Sequence, residues 1–573
     1  MKKNNKFIHP INLTPLNLPK RETSDSLVNK SQERNSPPLE SLSRFIGRLG
    51  EVKIMRKTPI IGFCMMACIL LSGLRSVSMP EANWDLYSKK YTYHSLTGYE
   101  LSLFEGFIAS AFPEGKTVSQ ILTGQASLRS ETRLAQALLF RNNQGDRDHA
   151  VEILKWILKN QHTDEASENF GLWKTNVEKD RLDQNWREFI GCDLIIIYQE
   201  YKHLLPPDVL ADIRTGLIRA AKGALKRNVG ADYTNISIMS AFLMDYAGNT
   251  FQMEDLKAAG LKKALEISHL WHRHQTFSEY NSPTYYGVTL IGLALWRELA
   301  SEQIKEMGIK LEATLWNEIA TNYNPKLKNL VGPYFRSYGM DMKKYCSITG
   351  IWIAIALDDG KLAPLPVVNG AKMEEMSNLS PILHLGLAIP KTVMSELKVF
   401  TPRQKIDRMV FSKMAGDTLK HITAIVNSEW MMGGLWGNRR IWNQVKAGTI
   451  HWNNPEGESE WLMVPGDGKT NVRVTNAGMY IYLANEKSND FSIYVYAKEL
   501  SDSNFTLDTW KFPSMKLGIQ STLKRNLEKI TEQGVLSHEC EITEEYQSVM
   551  KITFQIPPSW KKEIPLIEII PSK

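Results

Sequence analysis

Two stretches, residues 236–247 (ISIMSAFLMDYA) and 288–300 (VTLIGLALWRELA), are apolar on nearly every side of a helix. Such a helix has no face to offer water, so other elements must enclose it. Residues 209–227 carry the complementary pattern, an amphipathic helix with one apolar stripe. From about Trp84 to about Ile389 apolar residues recur at three- and four-residue spacing, in runs broken by Gly, Pro or Asn. Pro206-Pro207-Asp208 opens one of them as a helix start requires. Buried and half-exposed helices in alternation predict an α/α toroid, an incomplete double ring with the apolar helices inside. A long bundle or an α-solenoid is the competing arrangement; the lack of a fixed repeat counts against the solenoid.

Near Thr401 the pattern changes. Period-two, β-rich runs such as HITAIVNSEW, EWLMVP, GMYIYLA and FSIYVYAKEL take over. Turn signals separate them, among them Pro455-Glu456-Gly457 and Pro465-Gly466-Asp467-Gly468. An antiparallel β-sandwich is expected over residues 391–573, after a toroid over 79–390. Residues 362–390, with four prolines, read as the connection and include a short helix.

Residues 55–78, MRKTPIIGFCMMACILLSGLRSVS, have a basic start, an apolar run and a small-x-small end. That is the form of a secretory signal peptide, with an apolar run too short to span a bilayer. Export to the periplasm or beyond is therefore expected, with no membrane span in the mature chain. A signal belongs at an N-terminus, so residues 1–54, polar and aperiodic, read as disordered and as an over-extended gene start. The net charge of +7 is small for 573 residues and forms no basic stripe, which argues against nucleic acid as a partner. Outside the signal only Cys192, Cys346 and Cys540 remain, neither a disulfide framework nor a zinc site.

Three polar, aromatic-rich stretches each run into an apolar helix: 231–248, 276–290 and 332–352. Together they predict one cleft at the ends of several helices, lined with Tyr, Arg and Asn, as a carbohydrate site would be. A toroid joined to a β-sandwich in an exported chain resembles the polysaccharide lyases of the alginate-lyase and heparinase type. The motifs Asp232-Tyr233-Thr234-Asn235, Glu279-Tyr280-Asn281-Ser282-Pro283-Thr284-Tyr285 and residues 332–342 (GPYFRSYGMDM) resemble an uncharacterised family of bacterial and fungal exported proteins. The likeness covers about residues 173–461. The resemblance to the lyases implies an acidic polysaccharide or oligosaccharide as substrate.

A uronate lyase must neutralise the C6 carboxylate, remove the C5 proton and protonate the oxygen leaving C4. Tyrosine near a cation, or histidine, moves protons; asparagine and arginine meet carboxylates. On this reading Tyr280, Tyr285, Tyr338 or His274 moves protons and Glu279 orients a partner. Asn235 and Arg336 hold the carboxylate, with Asp341 in the same motif. Trp173 and Trp186 offer stacking faces for sugars. A loop of the β half brings His451 over the cleft. His269, His272 and His274 lack a zincin glutamate, so no metal is expected there. No cofactor is expected either, though a structural divalent cation is compatible with the β half. Two other readings stay open. One is a glycoside hydrolase using Glu279 with Asp232 or Asp341, which needs two facing carboxylates. The other is a glycan-binding protein whose aromatics only stack.

Overall fold

The computed structural model describes residues 84–572 apart from 179–181, 367–369, 402–404, 412–418, 438–443 and 531–548. The expected leader and the polar segment before it lie outside the described residues, as do Arg439, Arg440, Trp442 and Cys540. Helices α1 (Gly98–Ala111) and α2 (Val118–Ile121) lead into four antiparallel pairs. These are α3 (Leu128–Arg141) with α4 (Asp146–Leu158), α5 (Trp186–Glu200) with α6 (Pro207–Arg227), α7 (Thr234–Thr250) with α8 (Glu254–His274), and α9 (Tyr285–Leu299) with α10 (Glu302–Asn322). Then come α11 (Ile348–Leu357), α12 (Leu379–Leu385) and α13 (Lys391–Lys398).

The pairs stand in a double ring. On the inside α3 packs on α5, α5 on α7, α7 on α9, and α9 on both α11 and α12; α12 returns to α3 and closes the ring. Outside, α4, α6, α8, α10 and α13 follow one another. The burial agrees with the pattern that required it. In α7 every residue from Thr234 to Gly248 is buried, and α11 is buried throughout, whereas α6 buries only a stripe including Val209, Ile213, Leu217 and Ala224. The segment read as a connection holds α12, the helix that completes the inner ring, and α13 also packs on the helical half. Leu86–Lys89, inside the stretch read as helical, is a strand paired with Leu387–Pro390. Among the described residues no helix is long and apolar enough to cross a membrane. Cys192 and Cys346 are buried free thiols.

From Ile406 the chain forms two antiparallel sheets. The larger runs Arg525–Ile530, Val549–Gln555, Asp490–Tyr496, Ser459–Pro465, Lys446–Asn453, Trp430–Trp436, Leu419–Val426, Ile406–Phe411. The smaller runs Thr470–Thr475, Gly478–Leu483, Ile567–Ser572, Met515–Gln520, Thr509–Phe512. One core holds residues of both, among them Ile450, Leu462, Val472, Ile481, Ile552 and Ile569, so the pair is a sandwich.

The loop at 332–342 joins the two halves. Its backbone pairs with the large sheet: Tyr334 N donates to Lys446 O (3.2 Å) and Lys446 N to Tyr334 O (2.9 Å). Gly332 lies against Gly433 and Thr449 so closely that a Cβ on Gly433 would fall 1.7 Å from Gly332 O. Glu318 of α10 ties the halves a second way, accepting from Tyr286, from Thr276 Oγ1 (3.3 Å) and from Arg408 Nη1 of the first sheet strand (3.2 Å).

His451 sits in this junction. It is 1 % exposed, Nε2 donates to Met340 O (3.0 Å), and burial pulls its pKa down to about 4. The unfolded chain protonates it near 6.5, so folding loses stability as pH falls from about 6.5 to 4. The loss from this residue reaches about 3 kcal/mol. Comparing the pH dependence of denaturant unfolding for His451→Gln and the parent is expected to show a shallower acid decline in the variant; parallel curves would contradict it.

Candidate functional site

From α3 to α11 each inner helix follows an outer one, so the N-termini of α3, α5, α7, α9 and α11 emerge at the same end of the ring. There a cleft of about 500 Å³ opens. Its wall takes residues from the first turns or N-caps of α3 (Ser127, Arg129), α5 (Asn185, Trp186), α7 (Tyr233, Asn235), α9 (Thr284, Tyr285) and α11 (Ile348). Five helix N-termini facing one space present partial positive charge and unpaired N–H groups to it, which favours an anion. Three buried side-chain atoms on the wall lack a protein partner: Arg129 Nε, Asn235 Oδ1 and Thr284 Oγ1, the last two in residues 1 % and 4 % exposed.

Glu279 lies under the wall, fully buried, and organises it. Its Oε1 accepts from Arg336 Nη1 at 2.7 Å. Its Oε2 accepts from the backbone N (3.1 Å) and Nδ2 (2.5 Å) of Asn235. Arg336 then reaches Tyr285: Nη2 donates to its hydroxyl at 2.6 Å, and the guanidinium carbon lies 3.6 Å from the ring centroid. Gln444, beside the sheet, accepts from Arg336 Nε at 3.1 Å. The hydroxyls of Tyr285 and Tyr338 are 2.5 Å apart. Local chemistry sets up this geometry. Asn281, at a φ of 52°, donates to Pro333 O at 3.0 Å, and Ser282 Oγ donates to Arg336 O at 2.5 Å and accepts from Tyr285 N at 3.0 Å. The loop before α9 and the 332–342 loop are thus held together at their backbones, and Arg336 has one place to go.

Burial raises the Tyr285 pKa well above 10; Arg336 opposes this, and Tyr338 and Glu279 add to it. Tyr233, whose hydroxyl accepts from Asn185 Nδ2 at 3.1 Å, is also raised by burial, with Arg336 pulling the other way. Arg336 stays charged: burial disfavours the cation, but Tyr285, Glu279 and Tyr338 outweigh it.

Of the residues singled out from sequence, Asn235, Tyr285, Tyr338 and Trp186 line the cleft, with Glu279 and Arg336 directly behind them. Arg336 grips Glu279 and Tyr285 rather than standing free as a carboxylate clamp. Five residues lie elsewhere. Tyr280, 1 % exposed, packs edge-on against Phe335 in the sandwich core, because its loop inserts there. His274 ends α8 and stacks on Phe411 at 4.8 Å. His451 is enclosed between Tyr334 and Trp461 in the sheet. Trp173 is fully buried and packs near Gly216. Asp341 is 1 % exposed, and its Oδ1 accepts from Lys343 N at 3.0 Å. Among the described residues no group of three or more His, Cys, Asp or Glu is arranged to hold a metal ion.

Sequence reasoning missed Arg129, Lys372 and Glu375. Arg129 pairs with Glu375 (3.2 Å) and lies over Phe189 (5.1 Å) and Trp186 (5.6 Å). Lys372 sits over Tyr338 at 4.7 Å. One signal was legible: Arg129 is the second residue of a helix capped by Ser127, an end where the dipole disfavours a cation.

Fold and cleft together define a helical toroid with a C-terminal β-sandwich and a polar, tyrosine-rich site at the inner helix N-termini. A family model described as a domain of unknown function (DUF8769) matches residues 115–381. No curated protein matches the chain. Among solved structures it is similar to heparinase III, at 9% identity and TM-score 0.42 over 88% of this chain and 89% of that one. It is also similar to the chondroitin AC lyase of Streptomyces coelicolor A3 in complex with chondroitin sulphate, at 9% identity and TM-score 0.43 over 83% and 79%. A β-arabinofuranosidase of family GH127 matches at 9% identity and TM-score 0.23 over 85% and 93%. Likenesses this distant say nothing about chemistry.

Proposed function

We propose that the protein is an exported polysaccharide lyase that cleaves a uronate-containing glycan by β-elimination in the cleft at the inner helix N-termini. The observation that carries this reading is the pair of phenols, Tyr285 and Tyr338, held against the Arg336 guanidinium beside Asn235. The signal-like sequence pattern at 55–78 supports export.

The C6 carboxylate would rest against Asn235, whose amide has a second hydrogen beyond the one given to Glu279, and against Thr284 and the helix N-termini. With that charge met, C5–H becomes acidic. The C5 proton passes to the deprotonated oxygen of the phenol pair. The C5 electron pair forms the C4=C5 double bond, the C4–O bond breaks, and a phenol returns a proton to the leaving oxygen. Arg336 offsets the negative charge of the pair while it is one proton short. A hydrolase built on Glu279 is disfavoured, because both of its oxygens already accept hydrogen bonds from Arg336 and Asn235 and the residue has no exposure.

Burial keeps Tyr285 protonated at neutral pH, so the base form is scarce there and grows as protons are removed. The rate under kcat/KM conditions is expected to climb about tenfold per pH unit on its acid limb and to peak on the alkaline side. A profile flat from pH 6 to 9 would contradict the phenol base. Mass analysis of products made in heavy-oxygen water tests the reaction itself. Elimination leaves new ends without solvent oxygen, whereas incorporation of that oxygen would establish hydrolysis.

A further inference from the structure

We infer that Arg129 reads substrate charge beyond the reacting sugar, its guanidinium binding a second anionic group, carboxylate or sulfate, on an adjoining sugar. The inference rests on the acidic-glycan reading of the cleft and deepens it.

Arg129 stands where a structural arginine has little reason to be. It occupies the first turn of α3, at the positive end of the helix dipole, on the cleft wall. Its pairing is incomplete. Only Nη2 meets Glu375, at 3.2 Å through one oxygen, and Nε is buried without a partner. A guanidinium has five donors in a planar fork suited to two-point contact with an oxyanion. Its plane is already oriented by Phe189 and Trp186, so an incoming anion need not order it. Glu375 does not follow the arginine, because its Oε2 accepts from Asn378 Nδ2 at 2.9 Å. Burial would raise its carboxyl, but Arg129 and Arg133 together hold it below the usual value.

Placement fits a neighbouring sugar. Tyr285 and Tyr338 are close enough to interact with the Arg129 charge, and Trp186, over whose ring Arg129 lies, lines the same cleft. The other nearby acids have their own partners or face water: Asp193 also favours the Arg129 charge but accepts from Arg133 Nε at 3.0 Å. Asp183 accepts from Asn185 N at 2.9 Å, and Glu374 is exposed at the rim. Lys372, over Tyr338, adds a second cation on the same side.

Calorimetric binding of three tetrasaccharides to the full chain tests this. Oligogalacturonate carries a carboxylate on every sugar, chondroitin sulfate a sulfate beside each uronate, and unsulfated chondroitin neither. Binding is read in the parent and, to exclude turnover, in Tyr285→Phe. At least one of the two ligands charged on adjoining sugars is expected to bind tenfold or more above unsulfated chondroitin, and which one it is separates carboxylate from sulfate. Arg129→Gln is expected to erase that preference, Arg129→Lys to keep part of it, and Glu375→Gln, which removes the competing carboxylate, to strengthen it. Equal affinities for all three, no binding of any, or a preference unchanged in Arg129→Gln would overturn the inference. So would Glu375→Gln acting like Arg129→Gln. A preference present without any elimination product would leave this inference standing while the lyase reading fell; elimination without a preference would do the reverse.

Discussion

Tyr285→Phe is expected to lower turnover by about 10²–10⁴-fold, the range general acid–base groups supply. The substitution removes only a hydroxyl. It removes the hydrogen bonds that Arg336 Nη2 and the Tyr338 hydroxyl make to Tyr285, so stability should fall by about 1–3 kcal/mol and the fold should persist. Tyr338→Phe should produce a loss of the same order. Because the two phenols share their protons, the double variant should be little worse than either single one. Tyr280→Phe is the control: that ring belongs to the sandwich core and turnover should stay within a factor of a few. If Tyr280→Phe were as damaging as Tyr285→Phe, the cleft assignment would be wrong.

The second large effect is at Glu279. Removing one partner of a buried ion pair leaves the other charge uncompensated, at about 3–5 kcal/mol. Glu279→Ala removes the ion-pair partner of Arg336 and frees the amide of Asn235, so a large part of the stability typical of a folded chain is put at risk. Glu279→Gln keeps the shape and an acceptor, and should fold. With the carboxylate gone, Arg336 would act on Tyr285 undiminished and stabilise its phenolate. The rising acid limb of the rate profile is then expected to move to lower pH in Glu279→Gln. Chemical denaturation of the two variants, with pH–rate profiles of the second, checks both parts. A Glu279→Gln enzyme wholly inactive at every pH, yet folded, would instead mark the carboxylate as a reacting group.

The double ring was legible because residues 236–247 and 288–300 left no polar face, and only enclosure satisfies such helices. The β half was legible from alternation. A short helix was expected where α12 lies, but not its place in the ring, since seven residues with Pro381 among them carry too little periodicity to separate a ring helix from a linker. At the site, the dense Tyr, Pro and Gly of 276–290 and 332–342 pointed to loops that meet at the cleft, with Tyr285 and Tyr338 on its wall, and Asn235 joins them from the 231–248 stretch. Which tyrosine faces inward could not be read. Tyr280 and Tyr285 sit in one short motif, and only the docking of Phe335 and Tyr280 into the sandwich sends them apart. Arg129 and Glu375 are 246 residues apart in the chain, and no local pattern links them.

The central claim is elimination at the phenol pair. The most direct measurement is absorbance in the ultraviolet band of unsaturated uronates, with the purified protein and a panel of acidic polysaccharides, followed for the parent and for Tyr285→Phe. A rise with at least one polymer, abolished in the variant, is the expected result. New reducing ends without that absorbance, or an absorbance rise that survives Tyr285→Phe and Tyr338→Phe alike, would contradict it.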